Sequence, residues 1–220
     1  MKTAAVVPIN MLNSAKSRLA DHLSVAERRE LVYWMAERVL SAVRNSGRVE
    51  RLAVVSPDLE VLSWAAHHEA EPLPQTGAGG LNAGLELGRS WARQIGAEAL
   101  LILLGDLPCL STEEVANFIE RGSEHPVVLA PDQRWQGTNG LLLRLSVNLP
   151  FAFGAGSLGR HQMLAGEQQQ VALLFQTPGL SFDVDTFAEL SMLYEFGIWM
   201  SGDHDQPLVS ADDNPAAVSQ

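Results

Sequence analysis

Cysteine is almost missing from this chain: Cys109 is the single one among 220 residues. An internal disulfide and a thiolate zinc cluster are therefore both excluded. Positive charge is scarce as well, with 15 Lys and Arg against 26 Asp and Glu for a formal net charge of −11. Phosphate backbones are held mainly by clustered cations, so a general nucleic-acid surface is not expected. No apolar run approaches the roughly 20 residues needed to cross a bilayer. The apolar opening Ala4 to Pro8 is interrupted by Pro8 and Asn10, and no small-residue cleavage site follows. It reads as a first buried strand and not as a leader, which points to a cytoplasmic protein with no membrane partner.

What is present is the balance of a folded globule, 46% hydrophobic and 19% charged. The length suits one α/β domain. The charges are unevenly spread: nine of the basic residues fall between Met1 and Arg51, against five acids, so that segment is +4 and the remainder −15. Most of these arginines read as a solvated helix face. Lys16 and Arg18 differ, because they follow a strand and precede the helix. After Met200 the chain is polar and acidic and carries no Lys or Arg. The expected division is therefore a domain over 1–200 and a flexible tail over 201–220.

Strand-length apolar runs alternate with helical patterns, the order of a mostly parallel sheet covered by helices. Strands are expected at Ala4 to Pro8, Leu52 to Val55, Glu71 to Leu73, Ala99 to Leu104, Val127 to Ala130, Thr138 to Leu145 and Val171 to Phe175. Ala99 to Leu104 is apolar throughout and so central. Ser24 with Glu27, and Ser111 with Glu114, have capping-box spacing. Val32, Met35, Ala36, Val39, Leu40 and Val43 repeat as a helical core stripe. Ser56-Pro57 is expected to open a second helix, and Asn82 a third that runs to Gln94.

Ligands of parallel α/β sheets bind beyond the carboxyl ends of the strands. Asp106 follows the central strand directly, and Asp183 and Asp185 are expected to share a short strand whose alternation turns both to one side. Carboxylates beside a buried strand are expensive unless hydrogen-bonded or bound to a cation, and hard oxygen donors of this kind suit Mg²⁺. Capping of the following turn and helix is the plainer account of each Asp taken singly. Glycines bring backbone N–H groups close to phosphate, and two places fit: Gly77 to Asn82, and Phe153 to Ser157. Neither is a Walker sequence or a dinucleotide fingerprint. Thr138 and Asn139 can add hydroxyl and amide donors or begin an edge strand. His161 reads as a surface histidine, and Trp135 as a pocket wall or a loop anchor.

Eight short motifs then occur in one order. They are Val6-Val7-Pro8 with Ala15-Lys16-Ser17-Arg18-Leu19, Gly80-Leu81-Asn82, Gly105-Asp106-Leu107-Pro108, Ala130-Pro131-Asp132, Gly137-Thr138-Asn139, Phe153-Gly154-x-Gly156-Ser157-x-x-x-His161 and Asp183-Val184-Asp185-Thr186. In this order they resemble the 2-phospho-L-lactate guanylyltransferase family. The resemblance implies a Rossmann-like nucleotidyltransferase fold, similar to that of the molybdenum-cofactor guanylyltransferases. It also implies transfer of GMP from GTP to 2-phospho-L-lactate, phosphoenolpyruvate or 3-phospho-D-glycerate in coenzyme F-420 biosynthesis. By resemblance, Asp106, Asp183 and Asp185 hold Mg²⁺, Lys16, Arg18, Gly80, Leu81 and Asn82 surround GTP, and Thr138, Gly154 and Ser157 bind the phospho-acid. Asn10 stands where many relatives carry lysine, which leaves more of the triphosphate to Lys16. Trp135-Gln136 replaces a glycine-rich approach to Gly137.

The implied chemistry is in-line attack of an acceptor phosphate oxygen on the α-phosphorus with loss of pyrophosphate. An already ionised nucleophile needs no general base, consistent with a sequence that offers no dyad or triad. Catalysis then rests on charge and positioning. The unstable product suggests hand-over to a following enzyme; a homodimer is a further expectation, one that the patterning does not supply. Three other readings stay open: a molybdenum-cofactor or sugar-phosphate nucleotidyltransferase, a non-catalytic nucleotide-binding protein on the same fold, and an α/β scaffold subunit that binds no GTP. The first predicts a glycine-rich loop after the first strand, where this chain has Asn10-Met11-Leu12-Asn13. The second predicts GTP binding without pyrophosphate release.

Overall fold

A computed structural model describes residues 1–77 and 79–199. The expected tail over 201–220 lies outside the described residues. A seven-stranded sheet forms the centre, in the order β3-β2-β1-β4-β6-β5-β7. Its strands are β1 (Thr3–Pro8), β2 (Arg51–Ser56), β3 (Glu71–Pro74), β4 (Ala99–Leu103), β5 (Val127–Pro131), β6 (Thr138–Arg144) and β7 (Leu173–Leu174). β4 is the middle strand and entirely buried, as its unbroken apolar run requires.

Pairing is parallel from β3 through β4, and β6 alone runs against its neighbours, antiparallel to both β4 and β5. This reversal matters for the site. Leu103, at the carboxyl end of β4, pairs with Gly140, so the start of β6 at Thr138 and Asn139 comes to the edge where Asp106 follows β4. A parallel β6 would have carried both residues to the opposite edge.

Helices α1 (Val25–Asn45), α2 (Leu59–His67), α3 (Gly80–Gln94), α4 (Thr112–Arg121), α5 (Ser157–Glu167), α6 (Pro178–Ser181) and α7 (Phe187–Glu195) complete the chain. Strand alternation divides the core between the two faces. Ala5, Val7 and Leu101 pack with Val39, Val43 and Phe118 on one side, while Ala4, Val6 and Leu100 pack with Leu85, Trp91 and Leu158 on the other. All six expected stripe positions of α1 are buried. Both expected capping boxes form, at Ser24 with Glu27 and at Ser111 with Glu114. No helix among the described residues is long and apolar enough to cross a membrane.

Three expectations are corrected. α2 does not start at Ser56-Pro57: Ser56 remains in β2, and the Asp58 carboxylate caps the helix by accepting from Glu60 N–H at 3.0 Å. α3 begins two residues earlier than Asn82, with Gly80 at φ +63°, a conformation glycine adopts without a Cβ penalty. Asp183 and Asp185 share no strand. Their segment follows the short turn of α6 and docks through Val184 N–H on the Asp106 carbonyl at 3.3 Å.

Candidate active site

The site begins with the crossing from β1 to α1. Two 3-10 turns, Leu12–Ser14 and Ser17–Leu19, occupy this loop. Between them Lys16 holds a left-handed backbone at φ +50°, which costs a non-glycine residue about 1–3 kcal/mol. Buried Leu12 and Leu19 pin the loop on either side. Leu19 and Leu23 join a third apolar cluster with Leu31, Met35, Val184, Leu190 and Leu193. Val184 is fully buried there, and its neighbours Asp183 and Asp185 are thereby turned toward the sheet edge. One small core thus anchors both the lysine loop and the paired aspartates.

Lys16 Nζ donates to Asp106 Oδ2 at 2.6 Å and to Asp185 Oδ1 at 2.9 Å. Burial works against the ammonium charge, but the Asp106 and Asp185 carboxylates outweigh it and hold the lysine above its ordinary pKa. Asp185 is held low despite its own burial, by Lys16 first and then by Arg18, whose guanidinium lies 3.3 Å away. Asp183 behaves oppositely. Desolvation, then repulsion from Asp106, pushes its pKa up to about 6 against the opposing hydrogen bond from Asn139. The buried Asn139 amide donates to Asp183 Oδ1 at 3.1 Å and to the Leu180 and Ser181 carbonyls at 3.2 Å.

Two adjoining cavities meet over these groups. The first, about 500 Å³, is lined by Ile9, Asn10, Lys16, Arg18, Leu81 and Asp106 among others, and the second, about 390 Å³, by Arg134, Thr138, Asn139, Gly154, Ser157 and Asp183. Asp185, Arg18, Leu81 and Leu104 line both. The structure therefore brings together nine of the eleven expected site residues along one continuous cleft. Gly80 and Asn82 line neither cavity. The Asn82 amide instead pairs with both backbone groups of Phe153, accepting from its N–H at 2.8 Å and donating to its carbonyl at 3.2 Å. Asn82 thus clamps the glycine loop of the second cavity. Trp135 is half-exposed at φ +56° and also lines neither cavity.

That glycine loop enters α5 through Gly154 and Gly156, both at positive φ. The N–H groups of Ala155 and Gly156 take no acceptor from the described residues, as is ordinary at a helix start, and are open to an anion there. His161, expected at the surface, is fully buried one turn into α5, between Thr138, Ala152 and the edge of Phe153. Its spacing of four from Ser157 puts the two on one helix face, and that was the signal available in the sequence. Arg134 and Glu189, paired at 3.0 Å on the second cavity, had no local signal because 55 residues separate them.

Charge decides what this cleft lacks. The second cavity is lined by Arg18 and Arg134 but by Asp132, Asp183, Asp185 and Glu189, so its walls are net acidic. A phosphorylated ligand would be repelled without a further cation. Asp106 Oδ1 is buried with no hydrogen-bond partner, and Lys16 engages Asp106 through the other oxygen. Among the described residues, no three His, Cys, Asp or Glu side chains form a ready metal-binding group. The unpartnered oxygen Asp106 Oδ1 is a hard donor of the kind that Mg²⁺ takes when one or two carboxylates, water and substrate phosphate make up its shell.

Residues 3–205 match the family model described as guanylyl transferase CofC like. The chain belongs to this guanylyltransferase family. It is 44% identical over 193 residues to a phosphoenolpyruvate guanylyltransferase of Sphaerobacter thermophilus, covering 88% of this chain and 93% of the relative. It is 42% identical over 198 residues to one of Rubrobacter xylanophilus, covering 90% and 96%. In fold it is similar to a nucleotidyl transferase from Methanothermobacter thermautotroptrophicus, with a TM-score of 0.63 at 15% identity over 89% of this chain and 97% of that one. The expected nucleotidyltransferase-type α/β fold is therefore the observed one.

Proposed function

We propose that the chain transfers GMP from GTP to the phosphate of a small phospho-acid, releasing pyrophosphate, and that phosphoenolpyruvate, named for its relatives, is the acceptor. The observation that carries this reading is the pair of cavities meeting at Asp185, with Lys16 and Asp106 on one side and Thr138, Ser157 and Asp183 on the other. A group transfer between two phosphorylated substrates needs such a shared wall. The proposed assignment puts the triphosphate along Lys16, Arg18 and Leu81, and the acceptor along Thr138, Gly154 and Ser157.

In the proposed step an acceptor phosphate oxygen forms a bond to the α-phosphorus while the bond to the pyrophosphate oxygen breaks. The second pKa of a phosphate monoester is about 6, so the nucleophile is ionised at neutral pH and no side chain must remove a proton. Lys16 contributes a fixed positive charge beside the triphosphate, kept protonated by Asp106 and Asp185. Backbone N–H groups of the glycine loop and the Thr138 hydroxyl orient the acceptor phosphate, which is mainly an effect of positioning. Mg²⁺ would be held by Asp106 and Asp183, while Asp185, expected as a third ligand, has both oxygens taken by Lys16 and Arg18; the ion would supply charge neutralisation between the two polyanions. The phosphoanhydride product would be labile, which favours prompt consumption by a following enzyme, as in coenzyme F-420 biosynthesis.

The test is pyrophosphate release measured for GTP and ATP against phosphoenolpyruvate, 2-phospho-L-lactate and 3-phospho-D-glycerate, with Mg²⁺ present or chelated and the anhydride detected by mass. The expected result is Mg²⁺-dependent release with GTP and phosphoenolpyruvate. Tight GTP binding without release for every acceptor would leave a non-catalytic nucleotide-binding protein instead.

A further inference from the structure

His161 is fully buried beside the second cavity, and the reaction proposed above gives it no task. Its ring is bonded on both sides: Nε2 lies 3.0 Å from Ala152 N, and Nδ1 lies 3.0 Å from Thr138 Oγ1. A backbone N–H can only donate, so Nε2 must be the acceptor and the proton of the neutral ring sits on Nδ1. Protonation of Nε2 would set one N–H against another. Burial, helped by nearby Arg160, keeps the ring neutral by lowering its pKa to about 4.

The tautomer determines what Thr138 can do. With Nδ1–H as donor, Thr138 Oγ1 is the acceptor of that bond. A hydroxyl used in this way still has its own proton to give elsewhere. Thr138 lines the second cavity at the start of β6, and no other bond within the described residues takes its hydroxyl proton. The same ring fixes Ala152, just before the Gly154 to Ser157 loop. One imidazole therefore ties together the two segments that face the acceptor cavity.

We propose that His161 is a positioning residue, which through a fixed Nδ1–H tautomer directs the Thr138 hydroxyl proton into the second cavity to donate to an anionic oxygen of the phosphorylated acceptor. This rests on reading the second cavity as the phospho-acid site. A histidine with the opposite tautomer would accept the threonine proton and present only lone pairs to the substrate.

Two substitutions divide the functions of the ring. In His161→Asn the amide nitrogen takes the place of Nδ1 and keeps a donor for Thr138. In His161→Gln the amide reaches the place of Nε2, keeps an acceptor for Ala152 and loses the donor. With GTP and phosphoenolpyruvate, His161→Gln is expected to raise the acceptor KM about tenfold, the effect of roughly one hydrogen bond to a charged group, with the GTP KM unchanged. His161→Asn should stay within about threefold of wild type, since a single neutral hydrogen bond is all it loses. Adding His161→Gln to Thr138→Val should raise the acceptor KM no further. Equal effects of the two variants, a parallel rise in both KM values, or additivity with Thr138→Val would overturn the proposal while leaving the guanylyltransferase reading intact. Absence of pyrophosphate release by the wild-type protein with every phospho-acid would overturn both. Nitrogen-15 NMR of the imidazole at pH 7, assigned by its loss in His161→Asn, supplies a readout independent of turnover. The Nδ1–H tautomer is expected, and an Nε2–H ring or an imidazolium would overturn the proposal.

Discussion

Lys16 Nζ donates to Asp106 Oδ2 at 2.6 Å across 90 positions of chain, and with the bond to Asp185 it ties the β1–α1 loop to the carboxyl end of β4. The strained backbone of Lys16 persists because this ion pair and the apolar contacts of Leu19 hold it in place. Lys16→Met is expected to lower kcat/KM for GTP about 100-fold or more, the scale of losing a charge-stabilising donor at a transferring group. Stability should fall by about 2 kcal/mol, less than the about 3–5 of a fully buried broken pair, because the Asp185 side chain is 45% exposed. Steady-state kinetics and urea unfolding measure the two effects. Wild-type turnover by the folded variant would remove Lys16 from the machinery.

Asp106 and Asp183 should respond differently to neutralisation. Asp106→Asn leaves its single oxygen to Lys16 and puts an NH2 donor where the unpartnered Oδ1 stands; it is expected to abolish most turnover, a loss of about 100-fold or more, while the protein stays folded. Asp183→Asn keeps a shape that Asn139 can still bond, and removes a charge repelled by Asp106 and Asp185. In chelator-treated protein it should raise Tm by about 2–4 °C, the shift expected for roughly 1 kcal/mol in a chain of this size, yet lower activity. Millimolar Mg²⁺ should raise the wild-type Tm and leave that of Asp106→Asn unchanged, because only a ligand of the folded state shifts the equilibrium. Calorimetric scans with and without Mg²⁺ test both expectations.

Local features of this chain could be read because each is encoded within a few residues. Ser24 with Glu27 and Ser111 with Glu114 form the capping boxes that their spacing implies, and the Val32 to Val43 stripe is buried as its period requires. The unbroken run after Ala99 became the middle strand. Features set by distant partners could not be read in this way. The direction of β6 depends on how it pairs with β4 and β5, and an apolar strand carries no mark of polarity. Asn82 gave no sign of clamping Phe153, 71 residues away. The motif order behind the family resemblance reached Lys16, Thr138, Gly154 and Ser157, all of which line the cleft. It could not distinguish the clamp at Asn82 from a contact with nucleotide.

Acid should destabilise the fold through His161. Its pKa is about 4 in the folded chain and near 6.5 unfolded. Between those values the unfolded chain binds a proton that the native ring refuses, so stability falls as pH drops through that window. About 2.5 pKa units correspond to roughly 3 kcal/mol. The stabilising condition is fully present above about pH 6.5 and is lost on acidification toward about pH 4. Urea unfolding of the wild type and of His161→Asn at pH 7, 5.5 and 4.5 isolates this contribution from that of the carboxylates. The difference between the two proteins should shrink as pH falls. A constant difference would mean that the native ring titrates normally.

Gly179 provides the last test, because it ties the cap of α4 to the α6 turn that leads into the aspartate segment. Its N–H donates to Glu114 Oε1 at 2.8 Å, while Glu114 Oε2 accepts from Ser111 N–H at 2.8 Å in the α4 capping box. A Cβ at Gly179 would collide with Glu114 Oε2 and approach the Cys109 carbonyl oxygen to 2.5 Å. Backbone and carboxylate must then move apart. Gly179→Ala is expected to lower stability by about 1–3 kcal/mol, the usual range for overpacking a filled site. The displacement should also reach Leu180 and Ser181, whose carbonyls accept from Asn139, and through them Asp183. Turnover should therefore fall more than the folded fraction does, with the Kd for GTP little changed because Gly179 lines neither cavity. Comparing kcat, Tm and GTP affinity in this variant separates a loss of fold from a misplaced Asp183. Full kcat in a destabilised protein would show that the α6 turn does not position that carboxylate.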